Sequence, residues 1–343
     1  MEMITITMFI FNTPPPRRRF PHRENKVMRT RSGVLAVALP LAAVLLASAC
    51  SSSSSSSGGS STGAAASTTK IIAIGAENEY ANVSGQIGGK YVNVSAIMSN
   101  PNTDPHTFEA SPAVAREVSA AQLVVQNGVG YDTFMNTIES ADPNSGRKVI
   151  DVQTLLGLPN STPNPHLWYK PVTMPAVANA VAADLGQLDP AQASYFKANA
   201  ASFIASLSAW NSAIAAFKSA HPDVPVATTE PVADYMLQAV GADNMTPWTL
   251  QADIMNGVDP SPQNTALQNS LFTQHKVKVF LYNQQVTDSL TESFIKLAQE
   301  NGIPVVGVYE TMPTPGYDYQ SWMLAEVNAL DKAVTSKVST VHL

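Results

Sequence analysis

The apolar positions of this chain change rhythm as it proceeds. Runs at 71–76, 92–98, 123–127 and 148–152 have strand length and are rich in β-branched residues. Between them the apolar spacing turns helical near 79–87, 113–121 and 134–139. The same alternation resumes later, with strands expected at 224–229, 278–282 and 304–309. Helices are expected at 231–240, 262–274 and 289–301, and a last one from 319 to 336. Strands that alternate with helices imply βαβ units and parallel pairing.

One long helix is expected between the two halves. Asp189 can cap it and Pro190 suits its first position. Phe196, Phe203, Leu207, Trp210, Ile214 and Phe217 follow at spacings of 7, 4, 3, 4 and 3, which is one apolar stripe. The helix stops at His221-Pro222 after about 30 residues, about 45 Å. The pattern therefore predicts an α/β fold. Two βα lobes with mainly parallel sheets, residues 70–188 and 222–343, are joined by one long linking helix over 189–221.

The N-terminal pattern is different. Arg29 and Arg31 precede an apolar run over 34–47, and Cys50 follows. A positive start, a short apolar stretch and small residues before a cut define a signal peptide, assigned to 1–49 with an extended start. Met28 is the better initiator. Ala47-Ser48-Ala49-Cys50 resembles a lipobox, although Ala47 stands where a larger apolar residue is usual; ordinary cleavage after Ala49 is the alternative. Cys50 is the chain's one cysteine, so no intrachain disulfide can form, and acylation accounts for a lone thiol outside the cytoplasm. Residues 50–69 begin with this lipidated cysteine and continue with seven serines, a composition that tethers rather than folds. The expected location is extracytoplasmic, with the membrane reached through the lipid anchor.

Composition narrows the function. Of 343 residues only 13% are charged, the net charge is −6, and no basic stripe occurs in the body, so nucleic acid is not expected as a partner. A divalent-metal site without cysteine is built from His, Asp and Glu. Six histidines are present. His22 precedes the signal, His342 is terminal, and His221 and His275 end helices, where they suit the helix dipole. His106 in Asp104-Pro105-His106 and His166 in Asn164-Pro165-His166 each follow a turn residue and a proline. Proline stiffens such a turn and can hold an imidazole at a strand end, where α/β folds bind ligands.

These motifs carry a resemblance. Asp104 to Glu109 matches D-P-H-x-[YF]-E and Asn164 to Trp168 matches [DN]-P-H-x-W, so the chain resembles the zinc/manganese solute-binding proteins of bacterial ABC importers over nearly all of 70–340. The resemblance implies a metal site of His106, His166, Glu230 and Glu310, with Asp318 as rival for the fourth place. Glu230 would come from Thr228-Thr229-Glu230, and Glu310 from the turn after the strand at 306–309. Glu109, Asp104 and Asn164 would act behind the ligands. It further implies Mn²⁺ or Zn²⁺ as the transported ligand, a permease and its ATPase as partners, a monomer, and no catalysis. A metallohydrolase is the first rival, but no H-E-x-x-H is present. A binding protein for an organic ligand such as a siderophore, using Trp168, Tyr169, Trp248 or Trp322, and a surface adhesin lipoprotein are the others.

Overall fold

The computed structural model describes residues 69–102 and 104–343. The expected signal peptide, Cys50 and nearly all of the tether lie outside the described residues.

Strands β1 (Ile71–Glu77), β2 (Val92–Met98), β3 (Leu123–Gln126) and β4 (Lys148–Asp151) form a sheet in the order β2-β1-β3-β4. Strands β5 (Pro225–Thr228), β6 (Asp243–Asn244), β7 (Val279–Asn283) and β8 (Val305–Val308) form a second in the order β6-β5-β7-β8. Every pairing among these strands is parallel. Each run expected to be a strand is one. β6 has only two residues, Asp and Asn, and offers no apolar pattern to read.

The first half adds helices α1 (Asn78–Gly88), α2 (Pro112–Ala120), α3 (Thr133–Ala141), α4 (Val152–Leu155) and α5 (Thr173–Leu188). The middle holds α6 (Ala193–Ser206) and α7 (Ser208–Ala220). The second half holds α8 (Asp234–Val240), α9 (Trp248–Met255), α10 (Pro262–Thr273), α11 (Ser289–Glu300) and α12 (Tyr319–Ser336). Local chemistry starts several of them. Ser111 and Ser261 accept from the backbone N–H three residues on, each followed by proline, at α2 and α10. Asp288 with Thr291 and Asp318 with Ser321 form capping boxes at α11 and α12. Helix α5 is not expected from the pattern, although Met174, Val177, Ala178, Val181, Ala182 and Leu185 are buried at helical spacing. Small alanines dilute that stripe.

The linking segment is helical from Pro190 to Ala220. It is less uniform than one helix. A 3₁₀ turn (Pro190–Gln192) opens it, and Leu207 alone stands between α6 and α7. Asp189 makes no side-chain capping bond; its N–H bonds to the Leu185 carbonyl, so it closes α5 instead. The apolar stripe is buried along its whole length. α6 packs on α5 and α1, whereas α7 packs on α8 and α12. Trp210 meets Tyr319 of α12 edge-on at 6.0 Å between centroids. Trp210→Ala is expected to cost about 3–5 kcal/mol of stability, the usual loss for a large buried ring. Urea unfolding would show this as a lower midpoint at unchanged slope.

Parallel strands bring their C-terminal ends to one edge of each sheet. His106 lies on the segment after β2, His166 beyond β4, Glu230 after β5 and Glu310 after β8.

Candidate metal site

His106 sits in a 3₁₀ turn (Pro105–Thr107). Asp104 accepts the His106 backbone N–H at 2.8 Å, and the Thr107 hydroxyl donates to the Asp104 carbonyl at 2.8 Å. At His166 the Asn164 side-chain oxygen is 3.0 Å from the backbone N–H and 2.8 Å from ring Nδ1. A proton on Nδ1 satisfies the second contact and leaves the Nε2 lone pair facing the site. The Asn164 amide also donates to the Pro231 carbonyl at 2.8 Å, which ties this turn to the residue after Glu230.

Both Nε2 atoms converge on one oxygen. Glu310 Oε2 lies 3.1 Å from His106 Nε2 and 3.3 Å from His166 Nε2. The ligand atoms of His106, His166 and Glu310 all fall within 4.8 Å of one another, a spacing one metal ion can span. Glu310 and His166 are fully buried, while the His106 side chain is 23% exposed. Its opening faces a cavity of about 360 Å³, lined by His106, Tyr131 and Pro165 and by Trp248, Met255 and Asn256 of the second lobe.

Glu230 stands beside this trio rather than in it. The Asn283 amide donates to Glu230 Oε2 at 3.2 Å and to Glu310 Oε1 at 2.5 Å. Glu230 Oε1 is buried with no partner among the described residues. An orphaned buried carboxylate oxygen is costly unless a proton or cation reaches it. Asp318, the rival for the fourth place, is exposed and caps α12. Glu109 is exposed; among the described residues Asp104 and Asn164 hold the two turns.

Protonation preferences follow from these contacts. Burial alone would raise Glu310, but the two imidazoles outweigh it and hold the carboxyl well below the usual carboxylate range. Burial would lower His106, yet its contact with Glu310 prevails and the imidazole is raised. His166 faces the same oxygen and moves the opposite way. The fully buried ring loses more solvation and also feels His106, so a proton beside Glu310 favours His106 over His166. Burial, then the Glu310 charge, pushes Glu230 well up.

The trio draws on residues that motif reading does not single out. Tyr131 donates its hydroxyl to Glu310 Oε2 at 2.8 Å and packs against both imidazoles. Gln285 Oε1 accepts the N–H groups of Glu310 and Thr311, each at 2.7 Å. Asn78 and Met312 exchange two bonds: the Asn78 amide donates to the Met312 carbonyl at 2.8 Å and accepts its N–H at 3.0 Å. Tyr131 lies in the loop after β3 and Asn283 closes β7, and that place beyond the strand ends is the signal that could have found them. His221 ends α7 and lies 3.4 Å from Asp331, and His275 follows α10, so both are away from the trio.

Two imidazole nitrogens with one or two carboxylate oxygens suit a first-row divalent ion. The chain is similar to several known proteins. The family model described as ZnuA, zinc-uptake complex component A periplasmic, matches residues 77–333. Metal ABC transporter substrate-binding lipoprotein ScbA of Streptococcus cristatus is 25% identical over 153 residues, which are 41% of this chain and 49% of that protein. Manganese-binding lipoprotein MntA of Bacillus subtilis (strain 168) is 26% identical over 130 residues, 36% of this chain and 42% of that protein. The chain thus spans about half the length of the curated relatives it matches. In structure it is similar to the periplasmic zinc binding protein TroA from Treponema pallidum, with a TM-score of 0.66, 17% identity, and coverage of 79% of this chain and 100% of that one. That likeness is one of fold.

Proposed function

This chain belongs to the ZnuA family of zinc-uptake components, and from that premise we propose that it captures a divalent transition-metal ion, Mn²⁺ or Zn²⁺, and delivers it to an ABC importer. The observation that carries the reading is the convergence of His106 Nε2 and His166 Nε2 on Glu310 Oε2, with His166 and Glu310 buried and His106 partly open to solvent. In this reading His106, His166 and Glu310 bind the ion directly. Glu230 supplies the fourth ligand through its orphaned Oε1. Two neutral imidazoles and two carboxylates then cancel a 2+ charge, as a buried ion requires.

The chain's place in the importer follows from the same reading. Cys50 is acylated and anchors the protein outside the cytoplasm, the serine-rich segment is the tether, and lobes 70–188 and 222–343 meet at the ion. A permease and its ATPase are the partners, and the chain binds rather than catalyses. An organic ligand is less well supported, because Trp168, Tyr169 and Trp322 are fully buried and of the four aromatics considered only Trp248 is exposed.

Metal analysis of the purified chain after incubation with Mn²⁺ or Zn²⁺ tests this reading. One ion per chain is expected, with a melting point that rises with metal concentration. At 100 times the dissociation constant the linked stabilisation is about 2.7 kcal/mol. A chain that retains no ion and melts at the same temperature with and without metal would falsify the proposal.

A further inference from the structure

The loop between β3 and α3 has an unusual backbone. Gly128, Val129 and Gly130 have φ of 76°, 55° and 77°, three left-handed residues in succession. Glycine accepts this conformation, whereas a β-branched valine adopts it only under strain. The strain is held by specific bonds. The Val129 N–H donates to Gln153 Oε1 at 2.7 Å. The N–H groups of Asn127 and Gly128 donate to the Asp132 carboxylate at 2.6 and 3.0 Å. At Gly128 a Cβ would come within 2.8 Å of the Gln153 Cβ. Strained backbone that is over-determined in this way is found where one side chain must be aimed.

The side chain that follows is Tyr131. Its ring lies edge-on to His106 at 5.3 Å, to His166 at 5.9 Å and to Trp168 at 5.1 Å, and it walls the cavity onto which His106 opens. Its hydroxyl crosses to the second lobe and donates to Glu310 Oε2. That oxygen also faces both imidazoles. A carboxylate oxygen has two lone pairs. The phenol engages one and leaves the other for whatever lies between the histidines.

Resting on the metal-capture reading above, we propose that Tyr131 is the positioning residue that governs ion release: its hydroxyl holds Glu310 in the ligand cluster and its ring closes the cavity side of His106. An ion bound to the trio leaves only when Glu310 withdraws from the histidines. Withdrawal of Glu310 breaks the Tyr131 bond, so the phenol adds to the barrier for departure. Arrival through the cavity depends on the ring and not on the hydroxyl.

Stopped-flow kinetics on the full chain separate the two roles, with Mn²⁺ or Zn²⁺ as ligand and excess EDTA to drive release. Tyr131→Phe keeps the ring and removes the hydroxyl. Release about 10–100-fold faster is expected, the usual effect of losing a partner behind a metal ligand, with the association rate unchanged. Tyr131→Ala opens the cavity side as well and is expected to speed both association and release. Gln153→Ala is the second probe: it frees the Val129 N–H while leaving the phenol intact, and faster release is expected again. If ion uptake is normal but Tyr131→Phe and Gln153→Ala release at the wild-type rate, the assignment to Tyr131 is overturned alone. A wild-type chain that takes up no ion overturns the capture reading and this one with it.

Discussion

Replacing both histidines together, His106→Ala with His166→Ala, is expected to abolish retention of Mn²⁺ and Zn²⁺ while leaving the fold in place. The two rings supply the only nitrogen ligands in the trio. Losing an outer partner costs about 10–100-fold in affinity, and losing two direct ligands exceeds that by a wide margin. His106 is on a surface turn and its loss leaves no large void. His166 is fully buried, so its truncation opens a cavity beside Tyr131 and Trp168. The double variant is therefore expected to melt below the wild type without metal, with an unchanged circular dichroism spectrum. Metal analysis beside the wild type is the readout. A double variant that binds as tightly as the wild type would remove His106 and His166 from the site.

The second large effect is a dependence on pH. In the metal-free chain His106 is raised above its ordinary 6.5 by Glu310. Its contribution to stability is present below 6.5 and is lost as pH rises through the higher folded value. Glu310 is lowered from 4.5 by the imidazoles, so its contribution is present above 4.5 and is lost as pH falls through the lower folded value. Both shifts share the His106–Glu310 contact, which should favour the metal-free chain most between about 4.5 and 6.5. An ion needs His106 neutral and must expel that proton. Apparent affinity is therefore expected to fall as pH drops below the raised His106 value, because binding releases protons from His106 and from the raised Glu230 carboxyl. Calorimetric titration in two buffers of different ionisation enthalpy counts these protons. Equal heats in both buffers at such a pH would contradict the assignment of the proton to His106.

Sequence and structure agree best where periodicity is long. The strand runs each form a strand, and the stripe from Phe196 to Phe217 is buried. The linking helix is less regular than its stripe suggests, because one apolar face does not encode whether the backbone stays α-helical at Leu207. Asp189 shows the limit of a local signal: it has a capping side chain but already ends the preceding helix. At the site, the two Pro-His turns are legible because their ligands and anchors are neighbours in sequence. Tyr131, Asn283 and Asn78 are not, since each meets Glu310, Glu230 or Met312 across gaps of 27 to 234 residues. Nothing within a motif's length marks those meetings.

The exchange of two bonds between Asn78 and Met312 has a mechanical consequence. The asparagine amide imitates a short stretch of strand and splices the turn after Glu310 to the start of α1. The turn is thus fastened at both flanks: by Gln285 at Glu310 and Thr311, and by Asn78 at Met312. The turn that carries Glu310 is thereby tied to α1 through two bonds. A shift of the Glu310 turn would meet α1 before any other helix, because Asn78 opens that helix.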